Sequence, residues 1–411
     1  MIKNQDTFFS VWRNLVIRNV ILYHLKLYKK CRRKSFKDIK QFREYKKREY
    51  IEKLILEPQN NNQDYRVIRE KDIPYSVKHL KLYSIIGIES FVSNNHFNLI
   101  KLYIDCISVV NRFTVGLLPL SILELSLLNY KFEIDEIGIL PCNLKRFEVL
   151  FKEDHYYYLY SNSNIQQKKY LPIEVGCIPE SVEHIYYTGF YFFSSLKEGV
   201  LPKNLKSIEF SKSFDQTLVP GLLPNSLESI KFGWYFTNKK EPLTKGMLPD
   251  SLKSIIFRSF FNTKIEDGAL PTSLKYLRFG RCYEHPLTPN TLPLNLESLT
   301  LGHKYDTQIP LGILSKLNSL KTLVLGSCYN SIIIPSSLPN SLTFLKFSIK
   351  YNQSIDIDSV LPKSLKTLVF NENTLTYNSL IKILHSNKNN TISKKKNIYN
   401  LPSIVTININ R

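Results

Sequence analysis

The chain has 411 residues, of which 43% are hydrophobic and 22% charged, so it can bury a sizeable core and is not disordered throughout. Lys and Arg outnumber Asp and Glu by 56 to 35, a net charge of +21, which is typical of proteins that bind nucleic acid or an anionic membrane. The distribution of this charge excludes that interpretation for the chain as a whole. Residues 1–72 hold 19 basic and 9 acidic residues, residues 382–411 hold 6 basic and no acidic ones, and the 309 residues between them are close to neutral (31 against 26).

The expected compartment is the cytoplasm. No N-terminal stretch combines a charged start, an apolar centre and a small-residue cleavage site, and no apolar run approaches the roughly 18 residues that a membrane-spanning helix needs. The six cysteines form no CxxC pair and have no regular spacing. This pattern predicts a protein in a reducing compartment.

Residues 1–57 are predicted to form an α-helical N-terminal cap. Apolar residues recur at helical spacing over residues 8–15 and again over residues 17–28. A third helix is predicted over residues 36–56, where Arg48 with Glu52 and Glu49 with Lys53 would form ion pairs one turn apart. Such a cap would shield the first unit of the repeat array that follows.

Residues 58–72 are predicted to be a linker, and residues 73–370 a tandem repeat. The phrase LPKNLKSIEF from Leu201 returns as LPNSLESIKF from Leu223 and as LPDSLKSIIF from Leu248. We number each repeat from its proline, which is position zero. About thirteen repeats follow one another at intervals of 22–25 residues, apart from one interval of 38. Their zero positions are Pro74, His96, Pro119, Pro141, Pro179, Pro202, Pro224, Pro249, Pro271, Pro293, Leu317, Pro339 and Pro362.

The columns of the repeat predict a solenoid. Positions 3, 6 and 8 are apolar almost throughout, as in Leu205, Ile208 and Phe210, so a short strand would point positions 6 and 8 to the inside. Position 12 is aromatic in many repeats and position 16 aliphatic, as in Phe214 and Leu218. One repeat cannot bury two apolar stretches alone, whereas stacked repeats can. The expected fold is therefore a leucine-rich-repeat-like solenoid with parallel β strands on one face and irregular return segments.

This pattern resembles the FNIP repeat, a leucine-rich-repeat-like unit found mainly in social amoebae and some large viruses. The resemblance is carried by the LPxSLKxLxF phrase and by a downstream F-N-x-x-I element, present as FNTKI from Phe261, YNSII from Tyr329 and YNQSI from Tyr351. It covers about three-quarters of the chain. The family implies a repeat scaffold and supplies no catalytic residues.

Two further segments interrupt or end the array. The interval of 38 residues contains an insertion around residues 152–170, and we consider Tyr156, Tyr157, Tyr158 and Tyr160 candidate loop contacts for a partner, with a tolerated loop expansion as the alternative. Residues 371–411 are predicted to form a C-terminal helix (377–384), a Lys/Asn-rich linker and a capping strand that contains Ile404, Ile407 and Ile409.

Catalytic chemistry is not expected. The glycines occupy fixed repeat columns, so no phosphate-binding GxGxxG or GxxxxGK[ST] loop is present. Histidines, cysteines and carboxylates are scattered over different repeat positions, which predicts no catalytic residues, no metal site and no bound cofactor. The protein is therefore predicted not to be an enzyme.

A candidate binding strip lies on the strand face. Positions 4, 5 and 7 would be exposed there, and neighbouring repeats place basic residues and a tyrosine in these columns or just beyond the strand. The candidate residues are Lys231, Lys253, Arg258, Lys275, Tyr276 and Arg278. The alternative is that lysines at position 4 only keep this face soluble.

We therefore expect a monomeric, non-enzymatic scaffold for protein–protein interaction whose partner the sequence does not identify. The alternative is an F-box-like substrate adaptor for ubiquitin ligation, in which the N-terminal helices would dock core subunits of the ligase. Binding of nucleic acid or an anionic membrane through the basic segment from Lys26 to Arg48 is not the expected role, because most of this charge can simply be solvated surface.

Overall fold

The computed structural model describes residues 15–57, 67–68, 72–83, 87–88, 98–105, 113–129, 134, 136–150, 173–188, 196–371, 391–395 and 404–408. The chain divides into two compact units, Met1–Val182 and Glu183–Arg411, which we call unit 1 and unit 2. In both units, consecutive repeats stack through short parallel strands, which confirms the predicted solenoid. Each coil is named below by its position zero, so that coil 202 begins at Pro202.

The described part of unit 1 begins with helix α1 (Leu15–Cys31) and continues with a sheet of parallel strands. The order in this sheet is β1, β2, β4, β6, β7, β8, while β3 and β5 form a separate parallel pair. The elements after α1 are β1 (Arg33–Phe36), α2 (Ile39–Glu44), a 3-10 turn (Arg48–Tyr50), β2 (Lys53–Leu56), β3 (Val67–Ile68), β4 (His79–Leu82), β5 (Gly87–Ile88), β6 (Lys101–Asp105), β7 (Glu124–Leu128) and β8 (Arg146–Leu150).

The predicted third helix over residues 36–56 is wrong, and residues 1–57 are not a purely helical cap. Residues 33–56 instead form a coil of the solenoid, in which Ile51, Leu54 and Leu56 are buried at the spacing of positions 3, 6 and 8. The Glu52 backbone N–H donates to the Arg32 carbonyl (2.9 Å), and the Glu52 carbonyl accepts from the backbone of the following coil. These backbone hydrogen bonds to the preceding and following coils replace the hydrogen bonds that a helix would have formed. The predicted helix over residues 8–15 lies almost wholly outside the described residues.

Unit 2 contains nine consecutive parallel strands, β9 to β17, each from one coil. Their bounds are β9 (His184–Tyr187), β10 (Ser207–Glu209), β11 (Ser229–Lys231), β12 (Ser254–Ile256), β13 (Tyr276–Arg278), β14 (Ser298–Thr300), β15 (Thr322–Val324), β16 (Phe344–Lys346) and β17 (Thr367–Asn371). A 3-10 turn (Asn238–Lys240) and helix α3 (Ile357–Val360) lie in return segments.

An antiparallel pair follows the last coil of unit 2. Strand β19 (Ile404–Asn408) pairs with β17 on one side and with β18 (Thr391–Lys395) on the other. A terminal strand was predicted here, but β18 forms where the Lys/Asn-rich linker was expected, so that part of the prediction is wrong. The predicted helix over residues 377–384 lies outside the described residues.

The core of unit 2 consists of columns that run from coil to coil. Positions 3, 6 and 8 of coil 202, Leu205, Ile208 and Phe210, are at most 2% exposed. Position 12 forms an aromatic ladder whose consecutive ring centroids are 5.8–6.5 Å apart. Its members are Phe214, Phe236, Phe261, Tyr283, Tyr305, Tyr329 and Tyr351. Burial of one ring thus depends on the rings of the neighbouring coils.

Polar residues of the repeat satisfy backbone groups between coils. The Pro202 carbonyl accepts the backbone N–H of Leu205 (3.1 Å), which closes the turn before the strand. The serine at position 2 donates its hydroxyl to the position 3 carbonyl of the preceding coil, as Ser226 does to Leu205 (2.8 Å). At position 13, the Asn262 side-chain oxygen accepts the backbone N–H of Glu284 in the next coil (3.1 Å). These contacts explain why Ser and Asn recur at positions 2 and 13.

Glycine at position 9 is required by close approach of the backbone. A Cβ atom on Gly280 would lie 1.6 Å from the carbonyl oxygen of Arg258 in the preceding coil. No side chain fits at this distance. The main chains of neighbouring coils are therefore in direct contact at position 9, where each strand leads into its return segment.

Candidate functional site

The position 4 lysines of the predicted strip are neutralised by neighbouring coils. Lys253 forms an ion pair with Glu228 (2.9 Å), and Lys275 pairs with Glu297 (2.9 Å). The hydrogen bond between the latter two raises the pKa of Lys275 and lowers the pKa of Glu297. The same column pairs Lys206 with Glu183 (2.6 Å). Position 4 therefore carries charges of both signs, and Lys253 and Lys275 each have a glutamate partner in a neighbouring coil.

Two other predicted residues, Lys231 and Arg258, converge on one carboxylate. Glu209 lies on β10, and its Oε1 atom is 2.9 Å from Lys231 Nζ and 2.7 Å from Arg258 Nη2. Because the three residues come from three successive coils, the carboxylate joins coils 202, 224 and 249 at the outer face of the sheet. The side chain of Arg258 is 29% exposed in this arrangement.

The last two predicted residues, Tyr276 and Arg278, point outward from β13 and are exposed. Tyr276 is 50% exposed. Arg278 lies beside Ile256 in the register of β12 and β13. Across the part of the chain that the structure describes, neither Arg278 nor the nearby exposed Arg281 forms an ion pair with a carboxylate. Coil 271 thus presents two guanidinium groups and a phenol ring to solvent.

Three exposed aromatic residues beside this strip were missed by the sequence reasoning. Trp234 and Tyr235 follow β11, Phe260 follows β12, and the three are 40%, 47% and 46% exposed. The Tyr235 and Phe260 rings stack with centroids 5.0 Å apart and an interplanar angle of 9°. Two cations lie over the Trp234 ring, with Lys212 Nζ at 5.6 Å and Arg258 Cζ at 6.0 Å from its centroid.

These side chains come from four successive coils, and we call them the aromatic–cation surface. Tyr276 lies at the start of β13, and the others lie at or just beyond the carboxyl ends of the strands. It consists of Lys212, Trp234, Tyr235, Arg258, Phe260, Tyr276, Arg278 and Arg281. Backbone bonds hold the coils in register here, since the Phe260 N–H donates to the Trp234 carbonyl and the Cys282 N–H to the Ser259 carbonyl (both 2.9 Å). Three of its members, Arg258, Tyr276 and Arg278, belong to the predicted strip.

The outer face around this surface has few acidic residues. Positions 5, 7, 10 and 11 of the seven coils from coil 202 to coil 339 contain one acidic residue, Glu209, against seven basic ones. The basic residues are Lys212, Lys231, Arg278, Arg281, Lys304, Lys346 and Lys350. Burial and the neighbouring Arg281 lower the pKa of His303, which favours its neutral imidazole. The face is therefore positively charged although the array as a whole is nearly neutral.

A signal for the missed aromatics was present in the sequence. Positions 10 and 11 hold Lys212 and Ser213 in coil 202 and Arg281 and Cys282 in coil 271. In coil 224 the same positions hold Trp234 and Tyr235, directly before the buried Phe236. Along the chain, Trp234, Tyr235 and Phe236 form a continuous aromatic segment that resembles part of the core. Comparison of the same positions in other coils shows that Trp234 and Tyr235 occupy surface positions.

Other predicted features are absent from the described residues or lie outside them. The candidate loop contacts Tyr156, Tyr157, Tyr158 and Tyr160 are outside the described residues. No group of three or more His, Cys, Asp or Glu side chains suited to a metal ion occurs in the described ranges. Within those ranges, the helices are too short or too polar to cross a membrane.

The comparisons with known proteins agree with this architecture. A model of the FNIP repeat matches residues 171–213, 192–235, 214–260, 238–282, 305–350 and 329–373. The structure is similar to the crystal structure of CroV588, described as a novel circular LRR protein structure, with a TM-score of 0.61 and 25% sequence identity. The match covers 79% of this chain and 50% of that one, so this chain spans half the length of CroV588. A search of curated proteins finds no match.

Proposed function

Because the chain is an FNIP repeat-containing protein, we propose that it is a non-enzymatic scaffold that binds other proteins through its solenoid. Repeat solenoids present extended, rigid surfaces to their partners. The observation that carries the proposal is the aromatic–cation surface, in which four aromatic side chains are 40–50% exposed on neighbouring coils. Large exposed aromatics grouped with arginine are typical of the residues that dominate protein–protein interfaces.

The packing of this surface supports a binding role over a purely structural one. From coil 202 to coil 339 the core already contains an aromatic at position 12, so Trp234, Tyr235 and Phe260 are not needed to fill it. Their rings are held by cation–π and stacking contacts, which restricts their motion before a partner arrives. A rigid exposed ring loses little conformational entropy on binding.

The adaptor alternative receives no support from a specific observation. It depended on a helical segment over residues 1–57, of which residues 33–56 form a coil of the solenoid. Helix α1 does leave apolar side chains exposed, for example Val16 (73%) and Leu25 (53%). This exposure alone does not distinguish a ligase subunit from any other contact, so the scaffold is the function we propose.

Quantitative affinity purification from the native cells tests the proposal. Full-length protein is compared with the Trp234→Ala/Phe260→Ala variant and with a matched control, Lys245→Ala/Lys264→Ala, whose residues are exposed in the return segments of coils 224 and 249. We expect specific partners to be depleted for the aromatic variant and retained for the control, with similar melting temperatures for all three proteins. Equal recovery with the folded aromatic variant would reject a binding role for this surface.

A further inference from the structure

We propose that the partner presents an acidic, extended peptide segment with apolar side chains to the aromatic–cation surface. This inference rests on the proposed function and names the chemistry of the partner. It follows from the juxtaposition of Arg278 and Arg281, which form no ion pair within the described residues, with exposed aromatic side chains on the two preceding coils.

The charge of the surface selects an acidic ligand. Arg278 and Arg281 are exposed, and in the described part of the chain no carboxylate pairs with them. Guanidinium groups bind carboxylates through two parallel hydrogen bonds, which gives geometric specificity as well as attraction. Since Glu209 is the sole acidic residue at positions 5, 7, 10 and 11 of coils 202 to 339, a basic ligand would meet repulsion at these four positions.

The aromatic geometry favours a polypeptide over a nucleic acid. Proteins bind single-stranded nucleic acid by stacking bases on exposed ring faces. Here Lys212 and Arg258 lie over the Trp234 ring, and the Tyr235 and Phe260 rings cover one face of each other. These contacts already occupy part of the ring faces, which leaves less face for stacking bases. The exposed parts of the rings suit aliphatic or aromatic side chains of a peptide.

The dimensions of the surface suit a short extended segment. Its residues come from four coils, and neighbouring strands are about 4.8 Å apart, so the surface spans roughly 14 Å across the strands. An extended chain advances about 3.3 Å per residue, so about five residues cross it. With side chains alternating in direction, such a segment can place a carboxylate near Arg278 and an apolar side chain near Phe260.

Peptide selection on the full-length protein tests this inference. A phage-displayed library of random short peptides is selected on the wild type and counter-selected on the Arg278→Glu/Arg281→Glu variant. Affinities of the enriched peptides are then measured by fluorescence of Trp234, which the Trp12→Phe substitution leaves as the sole tryptophan of the chain. We expect enriched peptides with net negative charge and interspersed apolar residues. Their affinity should fall about tenfold or more with the double arginine variant, fall with added salt and be unchanged by Lys245→Glu/Lys264→Glu.

The outcomes separate this inference from the proposed function. Neutral or basic peptides whose binding, measured by calorimetry because this variant lacks Trp234, is lost in Trp234→Ala/Phe260→Ala would overturn the acidic partner while leaving the scaffold role intact. Peptides insensitive to both the arginine and the aromatic substitutions would overturn the surface and the proposed function together. Tighter binding of a single-stranded oligouridine than of any selected peptide would overturn the peptide partner in favour of nucleic acid.

Discussion

The carboxylate of Glu209 lies 2.7 Å from the guanidinium group of Arg258, although 49 residues separate them along the chain. The same carboxylate oxygen is 2.9 Å from Lys231 Nζ on the intervening coil. One acidic residue therefore neutralises part of a face that is otherwise basic, and it fixes the guanidinium that lies over the Trp234 ring. This contact makes Glu209 the residue that sets both the charge and the geometry of the aromatic–cation surface.

Removal of this carboxylate should increase the affinity for acidic peptides. In Glu209→Gln, Lys231 and Arg258 lose their shared partner and become available to ligand carboxylates. Since these side chains are partly exposed, the free energy of unfolding should fall by only about 1 kcal/mol. Isothermal calorimetry with the selected peptides measures the affinity. Glu228→Gln, which frees Lys253 at position 4, is the matched control and should leave the affinity unchanged.

The two glycine columns should respond differently to alanine. In Gly280→Ala the new Cβ would lie 1.6 Å from a backbone oxygen, so the coils must separate, and we expect a loss of about 3 kcal/mol or more. Gly268 has φ of +74° with open space around the Cβ position, so Gly268→Ala should cost only about 1–2 kcal/mol of backbone strain. Urea unfolding of both variants measures the difference. Equal losses would contradict the close approach of the main chains at position 9.

The tyrosine end of the aromatic ladder should limit stability at high pH. Burial raises the pKa of Tyr305 and Tyr351 to about 12 and raises the pKa of Tyr283 and Tyr329 further. Because these values exceed the pKa of about 10 in the unfolded chain, the stabilisation is fully present below pH 10 and is lost as the pH rises through 12. Phenolate absorbance should therefore show exposed tyrosines ionising first and the ladder ionising only with unfolding.

Replacement of the four ladder tyrosines by phenylalanine is the control for this pH dependence. Phe214, Phe236 and Phe261 occupy the same column, so the rings of a Tyr283→Phe/Tyr305→Phe/Tyr329→Phe/Tyr351→Phe variant should fit. We expect its alkaline unfolding midpoint, followed by circular dichroism, to move to higher pH. An unchanged midpoint would show that other groups cause the alkaline transition.

The first coil of unit 1 should lose stability in acid through Glu52. Hydrogen bonds from Arg32 and Tyr28 lower the pKa of this buried carboxyl to about 2. A carboxyl with a depressed pKa stabilises the fold above its unfolded value of about 4.5 and loses this effect as the pH falls towards 2. Hydrogen exchange at the backbone of β2 should therefore accelerate in Glu52→Gln at neutral pH, and the difference from wild type should shrink in acid.

The repeat columns could be predicted from sequence because each one has a single physical cause. Apolar residues at positions 6 and 8, such as Ile208 and Phe210, required a strand with one face inside, and the structure confirms it. The proline belongs to the turn before the strand, and the position 2 serine forms a hydrogen bond to the preceding coil. The position 9 glycine permits the close approach of main chains. These local rules recur often enough to be read in one chain.

The errors arose where local pattern and tertiary contacts disagree. The segment that contains Ile51, Leu54 and Leu56 has apolar spacing compatible with a helix and many helix-forming charged residues, yet backbone bonds to the two neighbouring coils decide for a strand. The ion pairs of Lys253 and Lys275 could not be predicted either, because they depend on glutamates in other coils. The residue of the neighbouring coil that lies beside a given surface residue can be identified only when the register of the strands is known.

The central claim is that the aromatic–cation surface is where a protein partner binds. Photo-crosslinking in the native cells tests it most directly, with a photoreactive amino acid placed at Tyr235 in one variant and at Thr272, exposed in a turn before β13, in another. We predict a discrete crosslinked protein with the probe at position 235, reduced in the Arg278→Glu/Arg281→Glu background, and none at position 272. A partner crosslinked at position 272 with none at position 235 would contradict the account.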